Sequence, residues 1–465
     1  LNREGKNKKI KKKLILIIIL GLIVLASLLW FALIRFEGRE PAVTIDLPSP
    51  FIGKSHDVTV SVSDLQSGIR KIWVGLLKDG KEVTLHEADY PSTGFWGKGQ
   101  VHETAIEINV NPAKLGFSDG DAVLRAAAWD YSWQGWMDGN KAYIEKNLTI
   151  DTRSPEIEIL SSAHNITQGG AGLAIYRVSE PCPQSGVYIG DRFFPGYSGM
   201  TKDPNIFSAF FSLGYDQSVK TEIFISATDR AGNGNRAGIN HYLRRKVFRK
   251  DTIAITDKFL NWKMPEFNDE LSGLGQADLI DKFLFINRDQ RRADYEKIQQ
   301  VCSKTDPVLH WKGSFLRLPN SAPRARFADH RTYKYQGQVV DEQVHLGVDL
   351  ASLKHAPVPA ANNGVVVYAE SLGIYGKTVI VDHGFGLFSM YSHLNEISVS
   401  PGKKLSRGDI LGHTGVSGLA GGDHLHFSII IHNTFVNPIE WWDASWIENN
   451  ILTKIDSAVS RFGVE

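Results

Sequence analysis

Ten of the fifteen histidines, from His310 to His432, fall within 123 residues of a 465-residue chain. Imidazole titrates near neutral pH and is the commonest metal-binding side chain, so the cluster points to a metal site or to acid–base chemistry. Three spacings sharpen this. His345-Leu346-Gly347-Val348-Asp349 sets an imidazole and a carboxylate four apart, and Gly347 with β-branched Val348 favours a strand or loop over a helix. His424-Leu425-His426-Phe427 leads into an apolar run, where a period of two puts both rings on one face of a sheet. His393, in Met390-Tyr391-Ser392-His393-Leu394, closes another such run. A zinc site with two histidines, one carboxylate and an open position needs three of these five residues and leaves two imidazoles for proton transfer. No His-Glu-x-x-His helix supplies a glutamate base, so that proton must go to an imidazole.

The elements that would position these residues read as β-strands. Val365-Val366-Val367-Tyr368, Thr378-Val379-Ile380-Val381-Asp382 and Leu387-Phe388-Ser389-Met390-Tyr391 are separated by glycine-rich turns. Together the segments resemble the lysostaphin/LytM family of zinc peptidoglycan endopeptidases. The resemblance rests on His345-x-Gly347-x-Asp349, on Tyr375-Gly376-Lys377-Thr378 through Asp382-His383-Gly384 to Tyr391-Ser392-His393-Leu394, and on Gly412-His413-Thr414-Gly415 leading to His424-Leu425-His426-Phe427 and Asn437-Pro438. It covers about residues 327 to 442. It implies one Zn2+ per chain held by His345, Asp349 and His426, with His393 and His424 as catalytic imidazoles whose division of labour stays open. It also implies a small antiparallel sheet with a cleft for an extended peptide. Two departures concern cleft shape: Gly418-Leu419-Ala420-Gly421-Gly422-Asp423 before the histidine pair, and Phe327-Ala328-Asp329-His330-Arg331 at the entry. His383 and His413 read as turn residues, and His330, His355 and His432 as surface residues.

The rest of the chain reads as the carrier of this domain. Leu14 to Ile34 run without a charge, and 21 residues at 1.5 Å each span about 31 Å of bilayer. No small-residue cleavage site ends the run, so it reads as an uncleaved anchor at 14–34 behind a basic cytoplasmic segment at 1–13. From Pro41, alternating bursts such as Val58-Thr59-Val60-Ser61-Val62 predict β-sandwiches. A repeat aligns Ser67-Gly68 and Ala128-Trp129-Asp130 with Ser185-Gly186 and Ala227-Thr228-Asp229. The expected order is therefore two tandem immunoglobulin-like sandwiches at 40–152 and 153–251, a helical linker at 252–310, the metallopeptidase domain at 311–445 and a tail at 446–465, for a mainly β fold. The sandwiches read as spacers, and Asp130 and Asp229 as turn caps.

Composition sets the outer limits. The hydrophobic fraction of 42% and the charged fraction of 22% exclude whole-chain disorder and a polytopic membrane protein. Residues 1–13 carry a net charge of +6 out of a total of +1, so the remainder is acidic and nucleic acid is a poor partner. Two cysteines, Cys182 and Cys302, exclude a disulfide scaffold or a cysteine-rich zinc site. The expected protein is a single-pass inner-membrane enzyme whose bulk faces the periplasm or wall space. Its partners would be peptidoglycan, the membrane and envelope proteins met through the sandwiches. The alternative is a non-hydrolytic activator or scaffold for another wall hydrolase.

Overall fold

A computed structural model describes residues 3–94 and 97–463, so Leu1 and Asn2 of the basic segment and Val464 and Glu465 of the C-terminal stretch lie outside the described residues. The chain is mainly β, with 42% strand and 22% helix. It divides into two units, residues 1–154 with 230–233, and residues 155–229 with 234–465.

The first unit opens with the 33-residue helix Arg3–Arg35. Within it, Lys6–Leu33 is long and apolar enough to cross a bilayer. From Ile10 to Leu33 its leucines and isoleucines are exposed. Two sheets follow, one of Ala42–Asp46, His56–Ser63 and Glu103–Val110, the other of Phe51–Ile52, Lys141–Ile150, Gly120–Asp130, Ile69–Lys78 and Lys81–Asp89. Strict alternation in His56–Ser63 turns Val58, Val60 and Val62 inward, where they join the opposing sheet's Ile72, Val74 and Leu124 in one core.

In the second unit, Ile206–Ser212, Ala171–Val178 and Ile157–Ile159 form one sheet, and Arg192–Pro195, Gln184–Ile189, Ile223–Thr228 and Gly234–Gly238 another. These sheets share a continuous core with the C-terminal domain. Phe210 meets Trp311 at 6.2 Å and Trp441 at 6.0 Å between ring centroids. The C-terminal domain is a ten-stranded sheet whose main path runs Ala322–Ala325, Val348–Ala351, Leu425–Ile431, Leu387–Ile397, Gly376–Asp382, Gly364–Leu372 and Lys404–Leu405. Its middle strands are buried on both faces, which is why they read as continuous apolar runs.

Two stretches differ from the sequence reading. The stretch expected as a helical linker begins as a strand, Lys250–Ile255, paired in parallel with His330–Tyr335. Its helices Asp257–Lys263, Leu279–Phe285 and Arg291–Cys302 bury Leu260, Phe283, Ile298 and Cys302 in the shared core. The expected tail is helical at Ala444–Ile447 and Thr453–Phe462, and Lys454 Nζ donates to Leu173 O at 3.0 Å. Both stretches are amphipathic segments whose apolar faces find tertiary partners that local sequence does not reveal.

Candidate metal centre

Three neighbouring strands bring the predicted residues to one level of the sheet. Asp349 in Val348–Ala351 lies opposite His426 in Leu425–Ile431. His426 in turn lies opposite Ser392 in Leu387–Ile397. Antiparallel partners point to the same face, so register alone aims Asp349 and His426 together. His393 arrives by a different device. Lys377 faces Leu394 and Val379 faces Tyr391, so Thr378 alone stands opposite Ser392 and His393. This bulge, with His393 at φ 60°, turns the imidazole into the cleft. His345 precedes its strand and is held by backbone bonds to Ala328 and Asp329.

Hydrogen bonding assigns the tautomers. His345 Nδ1 lies 3.0 Å from Arg326 O, an acceptor only, so Nδ1 carries the proton and Nε2 a lone pair. His426 Nε2 lies 3.1 Å from Ser428 Oγ, whose own proton goes to Leu346 O at 2.8 Å, so Nε2 donates and Nδ1 keeps a lone pair. Asp349 Oδ2 accepts from Arg331 Nη2 at 2.9 Å, leaving Oδ1 for the interior of the site.

His345 Nε2 and His426 Nδ1 are 2.9 Å apart, and each is 3.0 Å from Asp349 Oδ1. In these tautomers no proton lies between any pair. Three buried lone-pair atoms in mutual contact repel one another unless a cation stands among them. Ligand atoms at 2.0–2.1 Å from a tetrahedral zinc are about 3.3 Å apart, close to the observed edges. The donor set of two nitrogens and one oxygen is also one that zinc accepts, and the cluster suits a metal ion.

Two further imidazoles flank the trio. His393 Nδ1 donates to Ser417 O at 2.8 Å, and His424 Nδ1 donates to Gly422 O at 2.7 Å. Both therefore offer Nε2 to the cleft. Their ring centroids are 4.8 Å apart, and His424 Nε2 is 3.5 Å from Asp349 Oδ1. Burial, reinforced by His424 and His426, pushes His393 well below its ordinary value and keeps it neutral. At His424 the burial penalty is outweighed by Asp349, which raises the group above its ordinary value. Burial lowers His426 to about 4.

The cleft above these groups encloses about 250 Å³. Ile253 and Ile255 from the strand Lys250–Ile255 and Phe259 and Phe283 from the helices after it line it beside Arg331, Tyr333 and Tyr375. That stretch also buttresses the site: the buried Lys263 Nζ donates to Val416 O, one residue before the carbonyl that orients His393. Sequence reasoning missed these wall residues, and no local signal marks them. Ser428 was findable, because it continues the period of two set by His424 and His426.

The remaining histidines lie outside the constellation. His383 is buried between Asn363 O and Ser389 Oγ, and His413 Nδ1 pairs with Glu396 at 2.8 Å. His330 and His355 are exposed. His432, expected on the surface, is instead half-buried and stacked on Tyr197 at 5.7 Å, with burial pushing it down to about 4. Cys182 and Cys302 are both free and buried, and burial raises both thiols.

The sequence profile of peptidase family M23 matches residues 343–438. The DD-carboxypeptidase/endopeptidase Mpg of Neisseria meningitidis serogroup B is 33% identical over 132 residues, which cover 28% of this chain and 30% of that protein. The peptidoglycan DD-endopeptidase ShyA of Vibrio cholerae serotype O1 is 35% identical over 96 residues, 21% of this chain and 22% of that protein. The matched part thus spans under a third of either relative. Among solved structures, the catalytic domain of the antimicrobial peptidase lysostaphin from Staphylococcus simulans superposes with a TM-score of 0.25 at 24% identity, covering 28% of this chain and 98% of that one.

Proposed function

We propose that this chain, whose residues 343–438 form a peptidase family M23 domain, is a membrane-anchored zinc metalloendopeptidase that cuts peptide bonds in peptidoglycan stems or cross-bridges. The observation that carries the reading is the convergence of His345 Nε2, Asp349 Oδ1 and His426 Nδ1, at 2.9 to 3.0 Å, beneath two imidazoles that both present Nε2. His345, Asp349 and His426 would hold the zinc. When bound there it would supply Lewis acidity, polarising the scissile carbonyl and making the attacking water acidic near neutral pH.

The chain's own groups divide the proton work. His393 is the general base, because burial keeps its Nε2 free of a proton, and a nearby cation can only strengthen that preference. His424, whose Nδ1 is committed to Gly422 O, presents Nε2 to the developing oxyanion and, once protonated, to the leaving amine. Arg331 holds the outer oxygen of Asp349 so that the inner one keeps its aim. The apolar wall limits water in the cleft. The helix Arg3–Arg35 would anchor the chain in the inner membrane with its lysines in the cytoplasm. The tandem β-regions are read as immunoglobulin-like spacers, a reading supported by their sequence repeat.

The test is digestion of purified peptidoglycan by the detergent-solubilised, zinc-loaded chain, with mass analysis of the products. New peptide termini with intact glycan are expected. No cleavage by the parental protein, together with stimulation of a separate wall hydrolase, would replace this reading with the activator one.

A further inference from the structure

The first unit buries three carboxylates where the chain leaves its apolar helix and enters the β-domain. Glu37 follows the helix Arg3–Arg35, Asp64 follows the strand His56–Ser63, and Asp130 ends the strand Gly120–Asp130. Their exposures are 7%, 6% and 0%. One oxygen of each lies within 4.8 Å of the others.

Two of the three are fixed by neutral donors. Asp64 accepts from Gln66 N at 2.8 Å, Ser67 N at 3.2 Å and Ser67 Oγ at 3.0 Å. Asp130 accepts from Ser132 N at 3.0 Å, Asn140 N at 2.7 Å and Asn140 Nδ2 at 2.9 Å. These bonds account for the turn-capping expected of Asp130, yet they leave the negative charge in place. Glu37 differs, because its buried Oε2 has no hydrogen-bond partner among the described residues. Burial, then repulsion from Asp64 and Asp130, push its carboxyl upward, against opposing pulls from the Ser67 hydroxyl and the exposed Lys98. An orphaned carboxylate oxygen, more than nine-tenths buried beside two further carboxylates, is costly unless a cation occupies the space.

We propose that Glu37, Asp64 and Asp130 bind a calcium ion. The three donors are all hard oxygens, which disfavours zinc or copper, and calcium tolerates the irregular geometry of a site assembled from a linker and two strand ends better than magnesium does. Asn140 Nδ2 also bonds Glu37 O at 3.1 Å and Arg39 O at 3.0 Å, so the linker backbone is already seated against the domain. The ion would fasten its side chain there and stiffen the junction between the apolar helix and the first β-domain. In sequence, the second repeat carries an acid, Asp229, at the place that matches Asp130. This site does not depend on the peptidase reading.

The test uses the full chain in detergent, freed of metals and reloaded with zinc, titrated calorimetrically with CaCl2 beside the variant Glu37→Gln. The parent should bind calcium with a dissociation constant of about 10⁻⁴ to 10⁻³ M, and Glu37→Gln should lose one equivalent or weaken it by about tenfold or more. Without calcium, the variant should melt no lower than the parent, because a neutral amide relieves the carboxylate repulsion. With calcium, hydrogen exchange at residues 36–41 should slow in the parent only. Absence of calcium uptake by the parent up to about 10 mM, or equal uptake by both proteins, would overturn the proposal.

Discussion

Gly347→Ala should cripple metal binding although glycine donates nothing to a metal. A methyl carbon built at Gly347 would lie 2.5 Å from His426 Nε2, 2.6 Å from His426 Cε1 and 2.6 Å from Ser428 Oγ. Ordinary carbon contacts begin near 3.5 Å, so about 0.9 Å must be opened. The strand beneath is buried on both faces and cannot easily yield. The opening must therefore come from the His426 ring, at the expense of its bond to Ser428 and of the aim of Nδ1, whereas metal–ligand distances tolerate only about 0.2 Å. Losing such a supporting contact typically costs 10–100-fold in metal affinity. At the upper end this is about 2.7 kcal/mol. Competition against a chromophoric chelator would read the zinc dissociation constant directly. The zinc-induced rise in melting temperature should shrink in step. Gly421→Ala, where the new carbon meets nothing within 4 Å, is the matched control. If Gly347→Ala bound zinc as tightly as the parent, the tautomer and packing argument for the site would be wrong.

Asp349→Ala and His426→Ala should lose both zinc and hydrolysis, whereas His424→Ala and His393→Ala should keep most of their zinc and lose about 10²- to 10⁴-fold in rate; elemental analysis beside single-turnover cleavage separates the two classes. Glu440, raised by burial to about 7 from 4.5 while accepting from Ala171 N at 3.0 Å, stabilises the fold fully below about pH 4.5, and that contribution is lost as pH rises through about 7. For this half-buried side chain, Glu440→Gln should therefore gain about 1 to 3 kcal/mol on the parent at pH 8 after solvent screening, and no gain at pH 4, in denaturant titrations. Protease added to intact spheroplasts should degrade the chain beyond Arg35 and leave the apolar helix in the membrane; protection of the whole chain would reverse the orientation.

The parts of the site legible in the sequence are those where spacing converts directly into geometry. A period of two placed His424 and His426 on one face, and antiparallel register then set Asp349 opposite His426. His393 was legible as a residue type at a strand end, but its aim depends on a bulge that only the neighbouring strand defines. Arg331 reaches Asp349 from a hairpin outside the main sheet, and the cleft wall comes from a stretch whose charged, weakly periodic sequence reads as a connector. The same limit applies to Asp130. Its local role as a turn cap follows from the residues beside it, whereas the charge it shares with Glu37 and Asp64 depends on three segments far apart in the chain. Local pattern can therefore identify a carboxylate's hydrogen bonds, but only the assembled fold shows whether its charge is balanced. At His345, Asp349 and His426 the facing lone pairs, and at Glu37, Asp64 and Asp130 the clustered carboxylates, are what call for a cation.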